Sequence, residues 1–249
     1  MRYLQTAVIG AVLALLPLSS HALLFNGEVG VAAWNQSLSG TAQSNGGEEV
    51  NVDNDLGLDG DVNGFVWAAF EPRLLPNVRL RYTPMSFDGK ENRTFQLLDQ
   101  NWDGDVETDV TLDQADVTVY FTPLNNVVTL GLGLNVKLIS GHFEMTGEAQ
   151  AAPGVTQSER VSLDVPLPML YAHAGLSLPF TGLSGKVEAM GISYDDNRLI
   201  DVTAGVRYRL MPLINLELGY RYQDIQVEED DLEVDLKVDG LYLGVLARF

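Results

Sequence analysis

The chain has 249 residues, 46% of them hydrophobic, which is enough for one large domain or two small ones and argues against global disorder. Asp+Glu outnumber Lys+Arg by 34 to 15, a formal charge of -19 that excludes nucleic acid as a natural partner. The absence of Cys removes disulfides, thiolate metal sites, thiol nucleophiles and an N-terminal cysteine lipid together.

At the N-terminus, Arg2 precedes an apolar run from Ala7 to Leu16, and Ser20-His21-Ala22 places small residues where a signal peptidase reads. This pattern predicts a secretory signal peptide over residues 1–22, leaving residues 23–249 as the mature chain. The run is too short to span a bilayer comfortably, and no later segment approaches the length of a transmembrane helix. Membrane residence therefore requires a closed barrel.

Downstream, short turns at Glu71–Asn77, Thr122–Asn126, Pro179–Gly185 and Met211–Asn215 alternate with other, mostly longer and acidic, connections. These are Ser39–Asp61, Asp88–Asp109, Glu144–Ser162, Tyr194–Asn197 and Gln226–Asp235. Between them the sequence alternates with period two. Val128, Leu130, Leu132, Leu134 and Val136 oppose Thr129, Gly131, Gly133, Asn135 and Lys137. The pattern returns in 200–210 and 214–222, where Ile, Val, Leu and Tyr oppose Asp201, Arg207, Arg209, Glu217 and Arg221. One greasy face per strand and no helical period predict an all-β, up-and-down antiparallel transmembrane β-barrel of about ten strands.

The inward face carries both signs of charge: Glu28, Arg79, Arg81, Asp116, Lys137, Asp201, Arg207, Arg209, Glu217, Arg221 and Arg248. A barrel of this size is only slightly wider than one side chains can fill. Paired charges predict a plug, whereas arginines left unpaired along one wall predict a narrow anion-preferring channel. Most acids fall in the long connections, read as solvated surface able to engage ions, lipopolysaccharide or an outside partner, chiefly through 39–61 and 88–109. Aromatics such as Trp34, Trp67, Tyr82, Phe87, Tyr120, Phe121, Tyr208, Tyr220 and Phe249 lie mostly near strand ends, as interfacial girdles do.

Two constellations invite chemistry. Asp99, Asn101, Asp103, Gly104 and Asp105 match the opening of an EF-hand loop, which makes Asp99, Asn101, Asp103 and Asp105 candidate calcium ligands. The position that should hold a bidentate Glu is Val110, so the strongest ligand is missing. Ser140, His142 and Glu144 project to one side of a strand; Ser140 with His142 resembles the Ser/His pair that outer-membrane barrels hydrolysing lipid A carry on their lipid-facing surface, with Glu144 placed to orient His142. A hydrolase also needs an oxyanion hole, and the plainer reading is three polar residues where a strand leaves the membrane. An outer-membrane barrel protease needs acidic pairs with a His at the extracellular rim, and only His142 comes near one. No catalysis is expected.

The C-terminal residues Tyr242, Gly244, Ala247 and Phe249 resemble the terminal signal of Gram-negative outer-membrane barrels, with Ala247 in place of a larger hydrophobe. The resemblance extends to the whole mature chain, which is similar to a family of small barrels without an assigned activity. It implies an integral outer-membrane address, contact with outer-membrane lipid and lipopolysaccharide, and recognition by the outer-membrane assembly machinery. The alternative is a soluble lipocalin-type barrel, with the greasy face turned inward.

Overall fold

The computed structural model describes residues 25–44, 49–58, 60–92, 95–97, 100–149, 156–229 and 232–249. The expected signal peptide and Asp99 lie outside them. Among the described residues there is no helix. The strands are β1 (Phe25–Asn35), β2 (Ser37–Ser44), β3 (Val50–Asn51), β4 (Val62–Pro72), β5 (Asn77–Thr83), β6 (Ser86–Asn92) and β7 (Phe95–Leu97). They continue as β8 (Gln100–Asn125), β9 (Val128–Ala149), β10 (Thr156–Ser177), β11 (Leu183–Tyr194), β12 (Asn197–Arg209), β13 (Ile214–Glu229) and β14 (Leu232–Arg248).

Neighbours in sequence pair antiparallel, and β1 pairs with β14 from Glu28↔Arg248 to Trp34↔Tyr242, which closes the sheet. β1 with β2 forms one wall strand and β5 with β6 another, so the fourteen segments make a closed ten-strand barrel. Closure leaves no edge around the waist, which is the condition for burying a sheet in lipid.

Exposure decides between the two inversions of the alternating pattern. Leu132, Leu134, Leu170, Val206, Leu218 and Leu241 are exposed on the outer wall, while Lys137, Asp201 and Arg221 are buried inside. The greasy face points out, and the soluble, lipocalin-type alternative is overturned.

The long acidic connections are largely strand. β8 has 26 residues and runs, at ~3.3 Å per residue, well beyond the ~25 Å apolar band of such barrels. It carries β6, β9 and β10 up with it, so the wall stands tall there. At β11–β12 the hairpin turns already at Tyr194–Asn197. β10 pairs with β11 only from Leu170↔Gly191 downward, while its pairing with β9 continues up to Thr156. Pro166 and Pro168 sit on β10 where the β11 ladder stops. A strand residue points its N–H to one neighbour only, so these prolines cost nothing against β9 and offer no donor on the open side.

The stretch 50–58 is likewise not a solvated loop. Val50, Val52, Leu56 and Leu58 are all 4% exposed or less, and pack among Trp34, Leu38, Met85, Phe87, Val106 and Val110. The segment folds over the loop side of the lumen and caps it, apolar chains inward and Asn54 outward. Asp55 ties its turn by accepting the Asn51 N–H at 2.9 Å.

The aromatic girdle also needs correction. Trp34, Trp67, Phe87, Tyr120 and Tyr242 are buried in the lumen; Phe70, Tyr82, Phe121, Tyr208 and Tyr220 are the outward set. Strand-end position alone does not say which way a ring points, and parity does.

Candidate functional site

The lumen charges predicted from the sequence meet inside the barrel, in two groups. The group toward the loops is built on Asp201 of β12. It accepts from Arg221 Nη2 at 2.7 Å and Nε at 3.1 Å, Lys137 Nζ at 3.1 Å and Gln223 Nε2 at 2.9 Å. Lys137 also meets Asp116 at 3.0 Å, and Asn135 donates to Asp116 at 2.9 Å. Arg221 donates onward to Thr83 Oγ1 and lies over the rings of Trp34 and Phe65, at 4.8 and 5.4 Å. Both Arg221 and Lys137 are completely buried. Two cations face two carboxylates, and a delocalised guanidinium stacked on rings carries its charge out of water at the least cost.

The group toward the short turns centres on Glu28 and Glu188. Glu28 accepts from Arg207 Nη1 at 2.7 Å, Trp67 Nε1 at 2.8 Å and Arg79 Nη2 at 3.3 Å. Glu188 accepts from Arg79 Nη1 at 3.0 Å, Arg81 Nη2 at 3.1 Å and the Tyr171 hydroxyl at 2.6 Å, with Lys186 Nζ at 3.0 Å. Glu217 accepts from Arg207 Nε and from the Tyr242 hydroxyl. Arg79 and Arg207 each bridge two carboxylates, which fastens β1, β5, β11, β12 and β13 across the lumen. The forked guanidinium suits such bridging, and the Lys137 ammonium, held between Asp116 and Asp201, does the same in the other group.

One predicted member does not join. Arg209 shares the inward parity but is exposed at the short-turn end of β12. Glu188 and Lys186 are absent from the lumen charges expected from the sequence. Their signal was present in LSGKVEAMGISY, where Lys186, Glu188 and Met190 oppose Val187, Ala189 and Gly191, but those outward residues are too small to mark a greasy face. Glycines make room for the plug: a Cβ at Gly30 would stand 2.2 Å from the Trp67 ring.

Ser140, His142 and Glu144 lie on the outer surface of β9, opposite in parity to buried Ile139. Glu144 pairs instead with Arg160 and Ser158. His142 thus faces away from the lumen, and His173 lies near the short turns. Asn101, Asp103 and Asp105 belong to β8, whose extended backbone sets alternate residues ~7 Å apart along the strand, whereas a calcium loop curls its ligands around one ion.

At the C-terminus, Phe249 exchanges backbone hydrogen bonds with Gly27, at 2.7 and 3.0 Å, and lays its ring over that glycine. Tyr242 and Gly244 face the lumen, whereas Ala247 has the outward parity of Phe249. The terminal residues are thereby part of the seam that closes the barrel.

No protein-family model matches the sequence. No curated protein matches it either. Among solved structures, the outer-membrane protease OmpT of Escherichia coli superposes with a TM-score of 0.62 at 10% identity, covering 93% of this chain and all of that one. The translocator domain of the autotransporter NalP of Neisseria meningitidis matches at TM-score 0.45 and 12% identity, over 99% of this chain and 95% of that one. Ail, the attachment invasion locus protein of Yersinia pestis, matches at TM-score 0.39 and 11% identity, over 91% of this chain and 100% of that one. The likeness to OmpT is one of fold, and with the closed ten-strand topology and the outward apolar wall it identifies the architecture as that of a small outer-membrane β-barrel.

Proposed function

We propose that this protein is an integral outer-membrane barrel that does not conduct and does not catalyse, and that it acts through its outer surface and the tall β6–β10 wall. The observation that carries the reading is the filling of the lumen. Each of Arg79, Arg81, Lys137, Arg207 and Arg221 has a carboxylate partner, and the 50–58 segment closes the loop side with apolar side chains. Paired charges of both signs leave neither an open path nor a one-signed wall for ions.

Outer-membrane lipid and lipopolysaccharide would cover the apolar wall and meet the acidic outer rim, with divalent cations shared between them. The assembly machinery would read Tyr242, Gly244, Ala247 and Phe249, whose terminal aromatic sits at the closing seam. Non-catalytic status rests on Glu144 being engaged by Arg160 and Ser158 rather than by His142, and on His173 lying at the opposite end from the rim.

The test is electrical. The refolded mature chain, verified by heat-modifiable mobility, is expected to remain silent in a planar bilayer. Discrete conductance steps whose ion selectivity changes on Arg207→Glu would replace this reading with a channel.

A further inference from the structure

Among the described residues, two that are not glycine hold a left-handed backbone, one at each end of the barrel. Asp195, at φ 55°, tips the β11–β12 hairpin on the loop side, and Asp takes this conformation more readily than most residues. Phe180, at φ 68°, tips the β10–β11 turn among the short turns. A bulky residue is strained there, and the ring is fully exposed, so no contact within the protein offsets the strain. The turn is nonetheless firmly built. The Thr181 hydroxyl donates to the Leu178 carbonyl at 2.9 Å and accepts the Leu183 N–H at 3.0 Å. A strained ring on a braced turn is held out toward something beyond the chain.

The other short turns repeat the pattern. Leu74 between β4 and β5 is 96% exposed, and Leu124 at the β8–β9 turn and Met211 between β12 and β13 are exposed too. The loop-side hairpin instead carries Asp195 and Asp196 at its tip. Neighbouring short turns stand at least two strands apart along the wall, roughly 10 Å, with polar Asn125, Asn126 and Thr181 among them. A protein partner packs on a contiguous apolar patch, which single anchors spread around a ring do not make. A fluid surface that meets the barrel on every side can take each anchor separately. The anchors also continue the outward apolar wall, from Phe121 to Leu124 and from Tyr208 to Met211. The charges agree with this. Glu71, the one acid in the four turns, is half-buried and engaged by the Tyr120 hydroxyl. Arg73 and Arg209 are exposed, and neither has a carboxylate partner among the described residues. Arg73 precedes Leu74, and Arg209 adjoins the Phe180 turn, donating its backbone N–H to Gly182 at 2.9 Å. A guanidinium beside an apolar anchor matches a phospholipid, with its N–H fork for the phosphate.

We propose that the short-turn end of the barrel is a phospholipid-binding surface. Its turns lie within the headgroup layer of the leaflet on that side, Phe180, Leu74, Met211 and Leu124 reach the apolar margin of that layer, and Arg73 and Arg209 pair with lipid phosphates. Insertion of the ring offsets the strain at Phe180, at the depth where aromatic side chains collect in membranes. The surface requires only residence in the membrane, so it stands whether or not the lumen conducts.

The experiment uses the absence of Cys, which makes any introduced thiol unique. A nitroxide is attached at Asn126→Cys, a polar turn position that leaves every anchor in place, and the refolded mature chain is put into phosphatidylcholine vesicles. Asp196→Cys is the water-facing reference and Leu132→Cys the lipid-facing one. Collisions with a water-soluble nickel complex and with dioxygen give the depth of each label. The Asn126 label is expected to meet nickel about fivefold less often than the Asp196 label, at a depth between the two references. Leu124→Ser, and separately Arg73→Glu with Arg209→Glu, should each raise its nickel accessibility at least twofold while heat-modifiable mobility stays unchanged. A turn label as open to nickel as the Asp196 label overturns the proposal and leaves these turns in water. A shielded label that neither change affects overturns it as well, since the anchors and arginines would then not hold the depth.

Discussion

The loop side of the lumen is filled with rings and aliphatic chains; the short-turn side and the waist are filled with ion pairs. Both fillings block the same barrel, yet they respond differently to damage. An apolar side chain removed from the cap takes away its own contacts and leaves a void. A carboxylate removed from the network also strands the cations it neutralised, which remain buried with nowhere to go. The cap is therefore a matter of packing, and the network a matter of mutual obligation among residues far apart in sequence, as between Glu28 and Arg207.

The sharpest way to break this contrast is Asp201→Ala. It leaves fully buried Arg221 and Lys137 sharing Asp116, and should cost about 3–5 kcal/mol. Urea unfolding in lipid vesicles reads it, and Asp201→Asn should lose less because the amide still accepts hydrogen bonds. Equal losses would mean that charge is not what holds the waist. Next comes Leu56→Ala in the cap, at 1% exposure, with an expected cost of about 2–4 kcal/mol. Its conductance should stay nil, since the network beneath remains; ion flow in this variant would show that the cap alone is the seal.

The smallest effect lies outside both fillings. Asp109 on the tall wall is held above the usual carboxylate value of 3.8, first by its hydrogen bond to the neighbouring Asp88, then by burial and by that neighbour's charge. The folded state thus holds this proton more tightly than the unfolded state, so stability falls as pH rises from 3.8 through the raised value. Asp109→Asn should gain roughly 0.2–0.5 kcal/mol at neutral pH after solvent screening. The gain should vanish toward pH 3.8 in a series of thermal melts.

The same contrast explains what the sequence disclosed. Within the apolar belt, one face meets hydrocarbon and the other meets charge, so β9, β12 and β13 are readable by eye. Lumen membership followed from parity for all but Arg209, which is inward in phase but beyond the end of the packing. Above the belt both faces are polar, the alternation fades, and β6 and the upper parts of β8 to β10 pass for loops. Even there the inward phase survives faintly, in Val106 and Val110. The cap was legible too: Val50, Val52, Leu56 and Leu58 keep one parity, masked by the acids between them. Partner choice across the lumen, such as Arg79 bridging Glu28 and Glu188, depends on barrel diameter and strand stagger and has no local trace.

Where β10 rises above Gly191 it becomes, for the length of several residues, a strand margin above a waist that has none. Such a margin is an invitation to a second chain, since it presents a ready template for backbone pairing. Pro166 and Pro168 withdraw two donors from that side at its base, and Asp164 just above them adds a charge that a stacked copy would have to meet with its own. The notch in the wall can therefore stay open in a crowded surface without becoming a place where barrels stick together.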